Sequence, residues 1–220
     1  MKLGFGTAAL YRSDLLKAKI NLIRSYGVEP YPGGTFFEVA WLQGRLAEYL
    51  TACERLGFRL VEVSDGTVHL PAGERQAAIR AAAERGFQVI TEVGKKDGEE
   101  ELDPVAALRQ IGLDLEAGAV KVIVEGRESG KGVGIFDRSG QVKSDDLEIL
   151  TAGLADPDRL MWETPMKEQQ QEMITRFGPN VNLGNIAPAD VIALEALRRG
   201  LRGDTLKLAL LEALVEGEAT

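Results

Sequence analysis

Short apolar runs alternate with amphipathic stretches of helical period along the whole chain, and the cycle recurs about every 30 residues. Strand-like runs fall at residues 2–5, 28–31, 59–64, 88–93, 120–125, 160–163 and 180–183. A helical pattern starts at Asp14, read as an N-cap ahead of Leu15, Leu16 and Ile20. Others cover residues 72–85, 104–116, 144–153, 165–177 and 188–199, with a closing helix at 204–215. Such alternation means parallel strands joined by helical crossovers. An open doubly wound sheet and a closed barrel share that rhythm. No GxGxxG follows the first strand, and acidic or polar residues end strand after strand. Barrel enzymes build their sites at those strand ends, from successive βα-loops, whereas an open sheet concentrates its site at one switch point. The expected fold is therefore α/β, a TIM-type (β/α)8 barrel forming a single domain over residues 1–220. Seven strand runs are visible, and closure needs about eight. Either one strand escapes the pattern or the chain lacks an N-terminal βα unit. An incomplete barrel would expose apolar edge surface and favour a homo-oligomer.

Composition excludes several function classes. The formal net charge of −8 argues against nonspecific binding to nucleic acid or anionic membranes. It leaves room for an anionic substrate, because a local cluster of Lys and Arg overrides the average. One cysteine, Cys53, permits no disulfide framework or thiolate metal site within one chain, and it reads as a small helix residue. One histidine, His69, permits no multi-histidine zinc site and reads as a structural loop residue. Trp41 and Trp162 read as packing aromatics. No apolar stretch approaches the roughly 20 residues of a membrane span. The N-terminus is not signal-like, so a cytoplasmic protein is expected.

Four glutamates stand at or near strand ends: Glu62 in LVEVSDG, Glu92 in VITEVGKK, Glu125 in VIVEGRESGKG and Glu163 in LMWETP. A carboxylate ending an apolar strand is costly unless it is paired or binds a metal. On separate strands of one barrel these acids converge on a common mouth. Hard oxygen donors of this kind suit Mg²⁺. The other reading is that each pairs with a neighbouring Lys or Arg and only braces the barrel. Cations follow the acids: Lys95 and Lys96 after Glu92, Arg127 and Lys131 after Glu125, Lys167 after Glu163, with Lys2 on the first strand. Mixed charges around one mouth suit a metal with a multiply anionic ligand.

Two glycine-rich loops add to this. Gly33 and Gly34 follow the second strand in YPGGT, and Gly130 and Gly132 lie in ESGKGVG. Glycine lets backbone N–H groups approach an anion, although turn formation explains either loop equally well. Asn182 and Asn185, in NLGN ahead of Pro188, are candidate ligands for substrate oxygens, because a barrel phosphate often sits near the last loops. Turn chemistry is their other reading.

Taken together, the segments KLGFGTAALY, YGVEPYPGGTFFE, VEVSDGTVHLP, TEVGKKD, VIVEGRESGKGVGI and FGPNVNLGNI resemble the phosphosulfolactate synthase family, in the family's order from Lys2 to Ile186. The resemblance implies a TIM-type barrel, a magnesium ion and a cytoplasmic enzyme of sulfonate synthesis. In methanogens the product feeds coenzyme M. It also implies an extra strand and helix ahead of KLGFGT. The implied reaction joins sulfite to phosphoenolpyruvate, giving (2R)-phospho-3-sulfolactate. Sulfite is itself the nucleophile, so none is needed from the enzyme. Charge then builds on the substrate carboxylate, where Mg²⁺ held by Glu62, Glu92 and Glu125, with Glu163 as a further candidate ligand, is expected to stabilise it. A lysine then protonates the adjacent carbon, with Lys95 the first candidate, Lys131 the second and Lys2 the third. Arg127, Lys131, Lys167 and the glycine loops are expected to hold phosphate and sulfite. Two rivals use the same residues: an enolase-like lyase or isomerase on another carboxylate, and a non-catalytic, stress-related barrel like the family's plant relatives.

Overall fold

The computed structural model describes residues 1–95 and 101–206. Seven parallel strands follow one another among those residues: β1 (Lys2–Leu3), β2 (Tyr31–Pro32), β3 (Leu60–Val63), β4 (Gln88–Val93), β5 (Ala119–Val124), β6 (Leu160–Glu163) and β7 (Leu183–Gly184). β1 pairs with β2, and β3 to β7 pair in chain order. Strands laid down in sequence order, each returned by a helix, form the wall of a TIM-type barrel.

The helices are α1 (Ser13–Ser25), α2 (Gly34–Leu42), α3 (Leu46–Leu56), α4 (Ala72–Glu84), α5 (Pro104–Ala117), α6 (Ser144–Ala152), α7 (Lys167–Phe177) and α8 (Val191–Arg198). Local chemistry sets their ends. Asp103 caps α5 by accepting from the N–H groups of Val105 and Ala106, with Pro104 at the first helical position. Gly57 and Gly118 end α3 and α5 in the left-handed region, at φ 95° and 114°.

Some expected boundaries move. Arg12, not Asp14, is the residue ahead of α1. Asp14 lies in the first turn and pairs with Arg12 at 2.7 Å. α7 starts at Lys167 rather than Pro165, and a 3-10 turn at Pro188–Asp190 precedes α8. Two helices fill the long span between β2 and β3: Cys53 lies on α3, in keeping with its helical reading, whereas α2 has no counterpart among the helical patterns of the sequence. α2 carries Phe36, Phe37, Val39, Trp41 and Leu42, so it lacks the polar face that makes a helical period visible. The expected closing helix and Lys96 lie outside the described residues, apart from helical residues 203–206.

Side chains alternate across the wall. Val61, Val63, Val89, Val122, Val124 and Trp162 point outward into the helix layer, where they meet Ile20, Phe37, Ile79, Ile111, Leu150 and Met173. The other face carries a smaller cluster of Tyr31, Ile90 and Ile123 with Leu60, Val120 and Met161. Two residues past Leu60, Ile90, Ile123 and Met161 on that same face stand Glu62, Glu92, Glu125 and Glu163. The strand period therefore delivers all four acids to one mouth above an apolar floor. Among the described residues, no helix is long and apolar enough to cross a membrane.

Candidate active site

The four glutamates are buried, with relative exposures of 0% for Glu62, 1% for Glu92, 3% for Glu125 and 6% for Glu163. Lys2 joins three of them. Its Nζ lies 3.1 Å from Glu62 Oε1, 3.3 Å from Glu92 Oε2 and 3.7 Å from Glu163 Oε1. Burial works against the Lys2 charge, but the three carboxylates outweigh it and hold the ammonium protonated, above the ordinary lysine range. Tyr31 is opposite Lys2 in the β1–β2 ladder. Burial, reinforced by Glu62, pushes its phenol above the ordinary range.

Each acid is also held from the protein side. Gly34 N–H donates to Glu62 Oε1 at 2.8 Å, Arg127 N–H to Glu125 Oε1 at 2.6 Å, and Gly126 N–H to Glu163 Oε2 at 3.2 Å. Ser64 Oγ lies 3.0 Å from Glu92 Oε1. These approaches need glycine. A Cβ on Gly34 would collide with Ser64 Cβ and lie 2.6 Å from Glu62 Oε1, and one on Gly94 would lie 2.9 Å from Glu125 Cβ. A Cβ on Gly126 would overlap the Glu163 carbonyl. Three glycines thus sit beside three glutamates of the next strand, each just past its own strand.

That use of glycine corrects an expectation. The N–H groups of Gly33, Gly34, Gly130 and Gly132 do not point at a free anion site. They donate to Leu3 O, Glu62 Oε1, Gly126 O and Asp137 O. The reason is local: a loop packed against carboxylates uses its N–H groups on them or on its own carbonyls. Asn182 is also moved. Its amide donates to the carbonyls of Asp158 and Leu160, at the start of β6, so it braces the opposite end of the sheet. Asn185 does lie past β7, where its amide donates to Arg127 O at 2.8 Å and ties that loop to the one after β5.

The cations separate into groups. Lys2 is at the centre. Lys95 turns to the β3–α4 loop, where its Nζ donates to Asp65 O at 2.7 Å, Asp65 Oδ2 at 3.1 Å and Val68 O at 3.2 Å. Arg127, Lys131 and Lys167 are exposed, on the loop after β5 and the first turn of α7. Gln169 joins those two segments, because its buried amide donates to Gly130 O and Gly140 O. Arg127 holds a left-handed backbone, φ 53°, clasped by Glu125 on its N–H and Asn185 on its carbonyl.

Sequence reasoning missed several residues. Glu38 of α2 is 1% exposed. Its Oε1 lies 2.9 Å from Ser64 Oγ, and Thr67 Oγ1 donates to its Oε2. One Ser64 hydroxyl therefore stands between Glu38 and Glu92. Arg75 of α4 is also buried, with a guanidinium paired to Asp114 at 2.6 Å and to Asp65 at 2.8 Å. It donates as well to Glu92 O at 2.8 Å. A signal for it existed: Arg75 shares its helix stripe with Ala78, Ile79 and Ala82, and Asp114 shares one with Ala107 and Ile111. A charge in a buried stripe calls for a partner in another. The remaining readings stay structural. Trp162 is buried and Trp41 donates to Glu74, His69 is exposed, and burial pushes the Cys53 thiol up to about 12.

The family model described as (2R)-phospho-3-sulfolactate synthase (ComA) matches residues 1–204. A phosphosulfolactate synthase of Methanocaldococcus jannaschii is 48% identical over 207 residues, 93% of this chain and 82% of the relative. One of Methanothermobacter thermautotrophicus is 47% identical, covering 94% of this chain and 80% of the relative. One of Bacillus subtilis is 40% identical, covering 94% and 82%. With a buried ring of strand-end acids around Lys2, and a family model and relatives that match it almost from end to end, this chain belongs to the (2R)-phospho-3-sulfolactate synthase family.

Proposed function

We propose that this chain joins sulfite to phosphoenolpyruvate to give (2R)-phospho-3-sulfolactate, with Mg²⁺ as cofactor. The convergence of Glu62, Glu92 and Glu163 on the Lys2 ammonium carries the reading, beside relatives named phosphosulfolactate synthase. The donors suit a hard divalent cation in kind: they are carboxylate oxygens, and three of them already surround one positive charge. Glu62 and Glu92, with Glu125 or Glu163, would hold it. When bound it would supply Lewis-acid stabilisation of a substrate carboxylate.

The protein's own groups account for the rest. Sulfite uses its sulfur lone pair to form the C–S bond at the methylene carbon of phosphoenolpyruvate. The double-bond electrons move onto the adjacent carbon and its carboxylate, and a proton taken up there completes the product. Lys2, the third candidate, stands at the centre of the acids among the described residues and is preferred as donor over Lys95 and Lys131. Lys95 is drawn away by Asp65 and Val68. Arg127, Lys131 and Lys167 stand on adjoining segments and suit the phosphate and sulfite charges, which otherwise repel one another on approach. A small anionic substrate pair gives no role to nucleic acid or membrane, and we place the protein in the cytoplasm. Exposed Leu15 and Leu22 on α1, and Val191 and Ile192 on α8, support association into homo-oligomers, which light scattering would test.

The deciding assay follows phosphosulfolactate formation from phosphoenolpyruvate and sulfite, with and without Mg²⁺. Magnesium-dependent product is expected. Turnover of phosphoenolpyruvate without sulfite would point to the enolase-like rival instead, and binding without turnover to the non-catalytic one.

A further inference from the structure

Lys2 is held by the three acids that the magnesium reading needs most. The spacing fits an ammonium: 3.1 to 3.7 Å from nitrogen to oxygen, against about 2.1 Å for magnesium to oxygen. Among the described residues, no three Asp, Glu, His or Cys side chains stand close enough to grip a metal as they are placed. The donors fit in kind, and the Lys2 ammonium stands among them.

Two further features bear on what happens when a cation arrives. Each of the three carboxylates keeps a second anchor that does not involve Lys2: Gly34 N–H on Glu62, the Ser64 hydroxyl on Glu92, and Gly126 N–H on Glu163. Glu62 and Glu163 therefore stay anchored when the ammonium leaves, while Glu92 shares the Ser64 hydroxyl with Glu38. Lys2 is also able to leave. Its side chain is 28% exposed, whereas Glu62 and Glu92 are fully enclosed. Its stem crosses Gly33, where a Cβ would lie 3.4 Å from Lys2 Cε, so no side chain there blocks its path. A lysine has four rotatable side-chain bonds with which to swing its charge outward.

We propose that the Lys2 ammonium and magnesium are alternative occupants of the point where Glu62, Glu92 and Glu163 converge. Lys2 keeps the acids from repelling one another until the metal arrives. Metal binding then expels Lys2 toward the open mouth, which delivers its ammonium to the substrate side. Like charges so close together exclude each other in a buried site. This rests on the magnesium reading above, and the test separates the two.

Calorimetric titration with MgCl₂ of the full chain, stripped of metal, compares wild type with Lys2→Met and Lys2→Arg. Lys2→Met is expected to bind magnesium about tenfold or more tightly than wild type, because the Lys2 charge no longer has to be displaced. Lys2→Arg keeps the charge and is expected to stay near wild type. A second measurement needs no variant. Amine acylation at Lys2, read by peptide mass spectrometry, should rise when wild type is saturated with MgCl₂ and not when NaCl matches the ionic strength. Unchanged or weaker affinity in Lys2→Met, or unchanged Lys2 labelling in magnesium-bound wild type, would overturn the proposal while leaving the magnesium reading in place. Absence of magnesium binding in all three proteins would overturn the magnesium reading itself.

Discussion

Ser64 Oγ lies 2.9 Å from Glu38 Oε1 and 3.0 Å from Glu92 Oε1, so one hydroxyl links a helix carboxylate to a strand-end carboxylate. A hydroxyl has one proton to donate. Glu38 therefore competes with Glu92 for it and helps to set where Glu92 points. Glu38→Gln and Ser64→Ala should each lower kcat about 10- to 100-fold with little change in KM, the usual cost of disturbing a partner of a metal ligand, the role proposed above for Glu92. Steady-state kinetics beside a thermal melt checks this. A change in KM alone would mean that Glu38 serves substrate binding instead.

Glu92 accepts from Lys2 as well as from Ser64. Glu92→Gln keeps the shape but removes the charge, and it should abolish magnesium-dependent turnover while leaving the circular dichroism spectrum unchanged. A fully active variant would remove Glu92 from the chemistry.

Arg75 and Asp114 form a buried pair between the helix layer and the end of β4. Removing one partner leaves a buried charge, which costs about 3–5 kcal/mol. Arg75→Met should lose that much in urea unfolding. Arg75→Met with Asp114→Leu should recover a large part of it, since both charges are gone. Lys95 gives a contrast, because it is half-exposed and bonded to loop carbonyls, so Lys95→Met should change stability little.

Gly126→Ala drives a methyl group into the Glu163 carbonyl. A clash with backbone in a packed site costs about 1–3 kcal/mol, and here it also shifts Glu163. A lower melting temperature together with lost turnover is expected. Gly73→Ala is the control, because a Cβ there meets nothing within 4 Å.

Lys2 and Tyr31 both have pKa values raised on folding. The folded protein then keeps protons that the unfolded chain gives up, so their contribution is complete below the unfolded values and declines as pH rises beyond them. Stability should fall from about pH 10 upward. Lys2→Met should show a shallower alkaline decline than wild type in thermal melts between pH 8 and 11. An identical slope would mean that other groups dominate.

The barrel was legible in the sequence because strand and helix periods are local. β4 and β6 run over residues 88–93 and 160–163, as their apolar runs require, and the period of two sends Glu62, Glu92, Glu125 and Glu163 to one face. Recurrence of an acid at successive strand ends needs no knowledge of distance, so the acidic mouth could be read directly. Which cation serves it could not. Lys95 is three residues from Glu92 in sequence, yet it bonds to Asp65, while Lys2, 90 residues away, touches Glu92. Side-chain direction past the end of a strand depends on which neighbouring strand is near, and only strand order decides that. The same holds for Glu38 and Arg75, whose partners lie on other elements, and for Gly34 and Gly126, whose N–H groups are taken by carboxylates of the adjacent strand. Local periodicity determined the scaffold and its ring of acids. Pairings between strands decided which groups face one another, because electrostatic and hydrogen-bond partners are set by distance in space and not along the chain.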